Sequence, residues 1–177
     1  MAMQPKVVLA LLLASFNYAV AAQETATSAE RVLKLAENAP SVVLPGDGWT
    51  IHQEKRNRTG TGIYYLLANS RSKAYLSAYI EKTQACQAAD ECLQLALKNE
   101  SYKKAEGQAY FTTPQFKAAR FFIDQPGGLP IKQAHILAST YVSGHWIDLH
   151  LSAAGPERPS IEPLEALLHS LSVRNAP

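Results

Sequence analysis

Cysteine is nearly absent from this chain, with two residues in 177, and neither sign of charge is in clear excess. Seventeen Lys and Arg against fifteen Asp and Glu leave a formal net charge of +2. So close a balance argues against a nucleic-acid binder, which carries a marked excess of Lys and Arg on one face. Past the N-terminus no apolar run is long enough to span about 30 Å of hydrocarbon. There is also no internal repeat and no low-complexity tract.

What is present first is an export pattern. Lys6 supplies a positive start, Val7 to Ala14 is unbroken apolar sequence, and Ala19-Val20-Ala21 offers small residues for cleavage. The reading is a signal peptide over residues 1–22, interrupted by Asn17 before it could serve as an anchor. No Cys near the cleavage position offers a lipid attachment point. The expected product is periplasmic or secreted, has no transmembrane anchor after cleavage, and consists of one domain over 23–177. About 155 residues suffice for a single core.

Cys86 and Cys92, in "ACQAADEC", are six positions apart. In an oxidising compartment such a pair is expected to be bonded. The competing reading, a metal pair, would need two further ligands, and no His lies nearby in sequence.

The rest of the chain alternates in period. "SAERVLKLAENAP" predicts a short leading helix capped by Ser28 and ended by Pro40. "SVVLPGDGWTIHQEK" predicts an extended start, a turn at Pro45 to Gly48 and a strand from Trp49. "IYYLLA" and "AYLSAYIEK" predict a hairpin, with Leu76, Ala78 and Ile80 on one face and Tyr75, Ser77 and Tyr79 on the other. From Ala89 to Ala105 the period becomes helical, with acidic residues at the start and Lys103 and Lys104 near the end to suit the helix dipole. "AYFTT", "AARFFID", "KQAHILASTYV" and "HWIDLHLS" predict further strands. Ser160 then caps a final helix, "IEPLEALLHSLSV", striped by Leu164, Leu167, Leu168 and Leu171. The order predicts an α+β fold with a mainly antiparallel sheet covered by helices.

"LPGDGWTI", the hairpin into "YLSAYIEK", "ARFFID … GGLPIKQAHILASTYVSGHWIDLHLS" and the closing "LEALLHSLSV" together resemble the PsbP-like or DcrB-like exported domain. The resemblance covers nearly all of the expected mature chain. It implies an antiparallel sheet between helices in a sandwich, with binding, accessory or chaperone roles and no catalytic motif or cofactor. The same fold is similar to that of type VI secretion effector chaperones and some periplasmic immunity proteins.

The richest stretch for chemistry is "YVSGHWIDLHLS", residues 141–152. A two-residue turn at Ser143-Gly144 pairs Val142 with His145, Tyr141 with Trp146, Ser139 with Asp148 and Leu137 with His150. Alternation then places Ile136, Ala138, Thr140, Ile147, Leu149 and Leu151 on a core face. His135, Leu137, Ser139, Tyr141, Trp146, Asp148, His150 and Ser152 fall on the other. Four readings of that second face compete. As a hydrolase it would need His150 between Ser139 and Asp148, yet the register sets Ser139 directly against Asp148, on a flat strand with no oxyanion hole. As a metal site it would use His135, Asp148 and His150. As plain structure it would hold a Tyr141–Trp146 pair and a Ser139–Asp148 hydrogen bond under a helix. As a binding face it would present His135, Ser139, Tyr141, Trp146, Asp148 and His150 to a partner.

"RTGTG" lacks the Lys and the following helix of a phosphate loop and reads as an ordinary connection. "KRNR" is a solvated basic patch. Asn57-Arg58-Thr59 and Asn99-Glu100-Ser101 fit the glycosylation pattern, relevant only in a eukaryotic secretory route. The functional expectation is a non-catalytic exported binding or accessory protein with a protein partner, of the immunity or chaperone type. The alternative is a small-ligand or metal-binding periplasmic protein.

Overall fold

The computed structural model describes residues 30–175. The export segment and Ser28 lie outside the described residues. Strands β1 (Arg31–Lys34), β2 (Ser41–Leu44), β3 (Trp49–Arg56), β4 (Gly62–Asn69) and β5 (Ala74–Lys82) come first. Helix α1 (Ala89–Leu97) and a 3₁₀ turn (Glu100–Tyr102) lead into β6 (Glu106–Thr112) and β7 (Lys117–Asp124). The hairpin β8 (Lys132–Val142) and β9 (His145–Gly155) precedes α2 (Glu162–Ser170) and β10 (Ser172–Arg174).

These elements make an α+β fold, as the alternation of periods implied. A seven-stranded sheet runs β3-β4-β5-β9-β8-β7-β6 with antiparallel neighbours, and a three-stranded sheet runs β1-β2-β10. The main core lies between the large sheet and a layer made of the small sheet and α2. Leu33, Val42 and Leu44 meet Leu164 and Leu168 there, above Ile63, Leu67, Leu76, Ile80, Ile136, Ile147 and Leu149 of the large sheet. Each such side chain contributes roughly 1.5–3 kcal/mol through burial. On the opposite face α1 covers β7, β8 and the near side of β9, and Leu93, Ala119, Phe121, Ile123 and Leu137 close a second, smaller core.

Three expectations change. The leading helix is a strand: β1 pairs with β2 from Arg31↔Leu44 to Lys34↔Ser41, burying Leu33 while Val32 faces out. Val32, Leu33 and Leu35 fit either period over so short a run, and the free edge of β2 decided the outcome. Helix α1 ends at Leu97, eight residues short of Ala105. Asn99 turns extended and its side chain accepts from the Ser101 N–H at 2.9 Å, starting the 3₁₀ turn. The last turn of α1 therefore holds no basic residue, and Lys103 and Lys104 lie beyond the helix, with Lys103 paired to Glu100. The final helix stops at Ser170, whose hydroxyl donates to the Leu167 carbonyl at 2.6 Å. Ser172 to Arg174 then join β2 as a strand, and the Ser160 hydroxyl bonds Glu162 in place of capping the backbone.

Candidate functional site

The β8–β9 hairpin has the register read from its sequence, including Val142↔His145, Tyr141↔Trp146, Ser139↔Asp148 and Leu137↔His150. Ser143 and Gly144 both take positive φ, at 50° and 76°, as a two-residue turn matched to strand twist requires. The His145 ring bonds the Ser143 carbonyl at 2.8 Å, so this histidine serves the turn and stays on the core side.

Direct pairing extends the second face across the sheet. Tyr64, Tyr79, Asp148, Ser139 and Lys117 form one row, and Leu66, Ser77, His150, Leu137 and Ala119 the next. A third row runs Ala68, Tyr75, Ser152, His135 and Phe121. β5 is thus the neighbour of β9, and Tyr75 and Tyr79 continue the face. The six candidate residues do share this face, but helix α1 roofs part of it. His135 and Ser139 are buried, and Tyr141, Trp146, Asp148 and His150 are half-buried. The Tyr141 hydroxyl reaches the Thr83 carbonyl at 3.4 Å.

Two separate clusters result. In the first, Ser139 donates to Asp148 Oδ1 at 3.1 Å and accepts from the Trp146 indole N–H at 3.3 Å. Burial raises the Asp148 carboxyl to about 6, against the lowering effect of the Ser139 hydrogen bond. In the second, His135 Nδ1 lies 2.8 Å from His150 Nε2, and His135 Nε2 lies 3.2 Å from Gln133 Oε1. Burial lowers the His135 ring to about 3, helped by the His150 charge, and lowers His150 to about 4. Both rings are therefore neutral at pH 7.

The histidines belong to a closed circuit of four rings. Phe121 stacks on His135 at 5.2 Å between centroids, His135 stacks on His150 at 5.0 Å, and Tyr102 meets His150 edge-on at 5.8 Å. Tyr102 closes the circuit on Phe121 at 5.2 Å. Its phenol is pushed up to about 12 by burial, then by the Asp148 charge and Tyr64. Tyr102 arrives from the 3₁₀ turn, an element that helical periodicity could not separate from α1.

This geometry bears on each reading of the face. The Ser139 hydroxyl is bonded to Asp148 and Trp146, whereas His150 is engaged by His135, so the serine has no histidine base. Among the described residues no three His, Cys, Asp or Glu side chains are grouped to hold a metal ion. The His135, Asp148 and His150 set is divided because Asp148 turns to Ser139 while the imidazoles turn to each other. Cys86 and Cys92 form a disulfide that fastens the first turn of α1 to the segment entering it, which removes the metal-pair reading.

A cleft of about 700 Å³ opens over the ring circuit, lined by Tyr102, Lys104, Ile123, Gln133, His150 and Ser152 among others. A smaller cleft of about 380 Å³ lies on the other side of Tyr102, over Trp146 and Asp148. Beyond them, among the described residues, α1 packs on β7, β8 and β9 rather than on β4 and β5, and Tyr75 is 51% exposed.

The class defined so far is a disulfide-stapled α+β domain with an antiparallel sheet, aromatic on one face. Among the described residues no helix is long and apolar enough to cross a membrane. No family model and no curated protein matches the chain. A crystal structure from Bacteroides thetaiotaomicron VPI-5482 is similar over 84% of this chain and 49% of that one, with a TM-score of 0.51 and 14% identity. The chain thus spans about half the length of that protein. The solution structure of cyanobacterial PsbP from Synechocystis sp. PCC 6803 is similar over 92% of this chain and 99% of that one, with a TM-score of 0.46 and 13% identity. At such identities the likeness concerns the fold alone.

Proposed function

We propose that this is an exported, non-catalytic binding or accessory protein that recognises a protein partner through the part of the second sheet face that α1 leaves uncovered. The observation that carries the reading is the side-by-side placement of Tyr64, Leu66, Tyr75 and Tyr79, with Gln53, Lys55 and Ser77 beside them in the same rows. An aromatic centre with a polar surround is the composition of interface cores. The N-terminal export pattern and the disulfide favour an oxidising compartment. The Ser139 hydroxyl, held by Asp148 and the Trp146 indole with no histidine on it, favours binding over turnover. An immunity or chaperone-type role would use such a face stoichiometrically.

The test is a pull-down from periplasmic extract with wild type, Tyr75→Ala and a control substitution, Glu162→Gln, on the opposite layer. The reading expects one stoichiometric protein with wild type and the control, lost with Tyr75→Ala. Equal retention by all three would place the interface elsewhere, and no retained protein would remove the partner.

A further inference from the structure

The cleft over the four-ring circuit has three properties that together specify a ligand. It is walled by planar and apolar groups, Tyr102, Ile123 and Pro126, beside the His150 ring. Its volume, about 700 Å³, is that of a small-molecule site. Its one cation without an ion-pair partner among the described residues is Lys104, since Lys103 is held by Glu100 at 2.5 Å.

The polar floor adds direction. With Gln133 Oε1 accepting from His135 Nε2–H, the neutral His135 ring must accept at Nδ1, so His150 Nε2 is the donor between the two rings. His150 Nδ1 is then a bare acceptor, and among the described residues no protein group donates to it. An imidazole nitrogen at the edge of an open cleft accepts from water or, in its place, from a donor on a bound molecule.

We propose that this cleft binds a small aromatic acid carrying a hydrogen-bond donor. The ring lies against the Tyr102 and His150 side of the circuit, the donor meets His150 Nδ1, and the carboxylate meets Lys104. This site is separate from the protein-binding face on β4 and β5, and either stands without the other.

The experiment is NMR titration of the purified protein, disulfide intact, with 4-hydroxybenzoate. Comparison probes are 4-hydroxybenzamide, cyclohexanecarboxylate and benzylamine. Saturable shifts are expected at Tyr102, Lys104, Gln133 and Ser152, together with a change in the ¹⁵N signal of His150 Nδ1. Lys104→Ala, an exposed substitution, should weaken 4-hydroxybenzoate about five- to ten-fold, the net scale of one hydrogen bond at a solvent-exposed site, and leave 4-hydroxybenzamide unchanged. The proposal is overturned by no saturable shift at the cleft up to roughly 10 mM, a concentration that still reports very weak binding. It is equally overturned if Lys104→Ala binds the acid as wild type does, or if cyclohexanecarboxylate or benzylamine binds as well as the aromatic acid.

Discussion

Asp148→Asn should make this protein more stable at neutral pH. The carboxyl sits at about 6 in the folded state against an ordinary 3.8, chiefly because burial penalises its charge. A folded-state value above the unfolded one means that the carboxyl favours folding below about pH 4, and this contribution is lost as pH rises through 6. At pH 7.5 the ionised group therefore weighs against folding. The gap between the two values corresponds to about 3 kcal/mol at most. Asn keeps an oxygen to accept from Ser139, and its amide faces the cleft beside Trp146, where water can meet it. The expected gain is roughly 1–3 kcal/mol at pH 7.5, shrinking to roughly 0.5 kcal/mol at pH 4, where the folded wild type is already protonated. Urea unfolding at the two pH values measures both numbers. The Tyr102 phenol, held near 12 partly by the Asp148 charge, should titrate lower in the variant. A variant less stable than wild type at pH 7.5, or a gain equal at both pH values, would refute the account of Asp148 as a charge buried at a cost.

The histidine pair has the opposite sign. His135 and His150 fall to about 3 and about 4 when folded, from 6.5, so their contribution is complete above pH 6.5 and is lost as pH falls toward 4. Because Asp148 takes up a compensating proton in the folded state over the same range, urea midpoints of Asp148→Asn should fall more steeply than wild type between pH 6 and 4; parallel slopes would contradict this. Gly62 carries no Cβ because one would sit 2.6 Å from the Tyr79 hydroxyl and 2.9 Å from Asn57 Nδ2. Gly62→Ala should cost roughly 1–3 kcal/mol by overpacking, and Tyr79→Phe in the same chain should recover part of it in thermal unfolding. Replacing Cys86 and Cys92 by Ala should cost about 2 kcal/mol, the chain-entropy value for so short a loop, and should speed amide exchange in α1 more than in β8 or β9.

Legibility differed with the physics behind each element. The β8–β9 register was readable because a side-chain period of two and a two-residue turn at Ser143-Gly144 leave one alignment, and a one-residue slip would expose Ile147 and Leu149. The disulfide followed from there being two cysteines and no more. β1 and β10 were not readable, since Arg31–Lys34 and Ser172–Arg174 are too short to show a period, and both become strands by pairing with β2. The end of α1 was missed because Lys98 to Ala105 keeps a helix-compatible composition, and the Asn99 side chain breaks it locally.

The fold class, the disulfide, the hairpin register and the identity of the polar face can all be read from the residues alone. Those depend on local period, turn chemistry and cysteine count, all of which are written in neighbouring residues. What that face is depends on how distant segments pack. Tertiary packing set β5 beside β9, lowered α1 over β7 and β8, and brought Tyr102 and Phe121 around the two histidines. It also separated Asp148 from His150 by giving each a different partner. Such arrangements depend on packing between segments distant in the chain, where burial sets the charge of Asp148, His135 and His150 and no local pattern records the outcome.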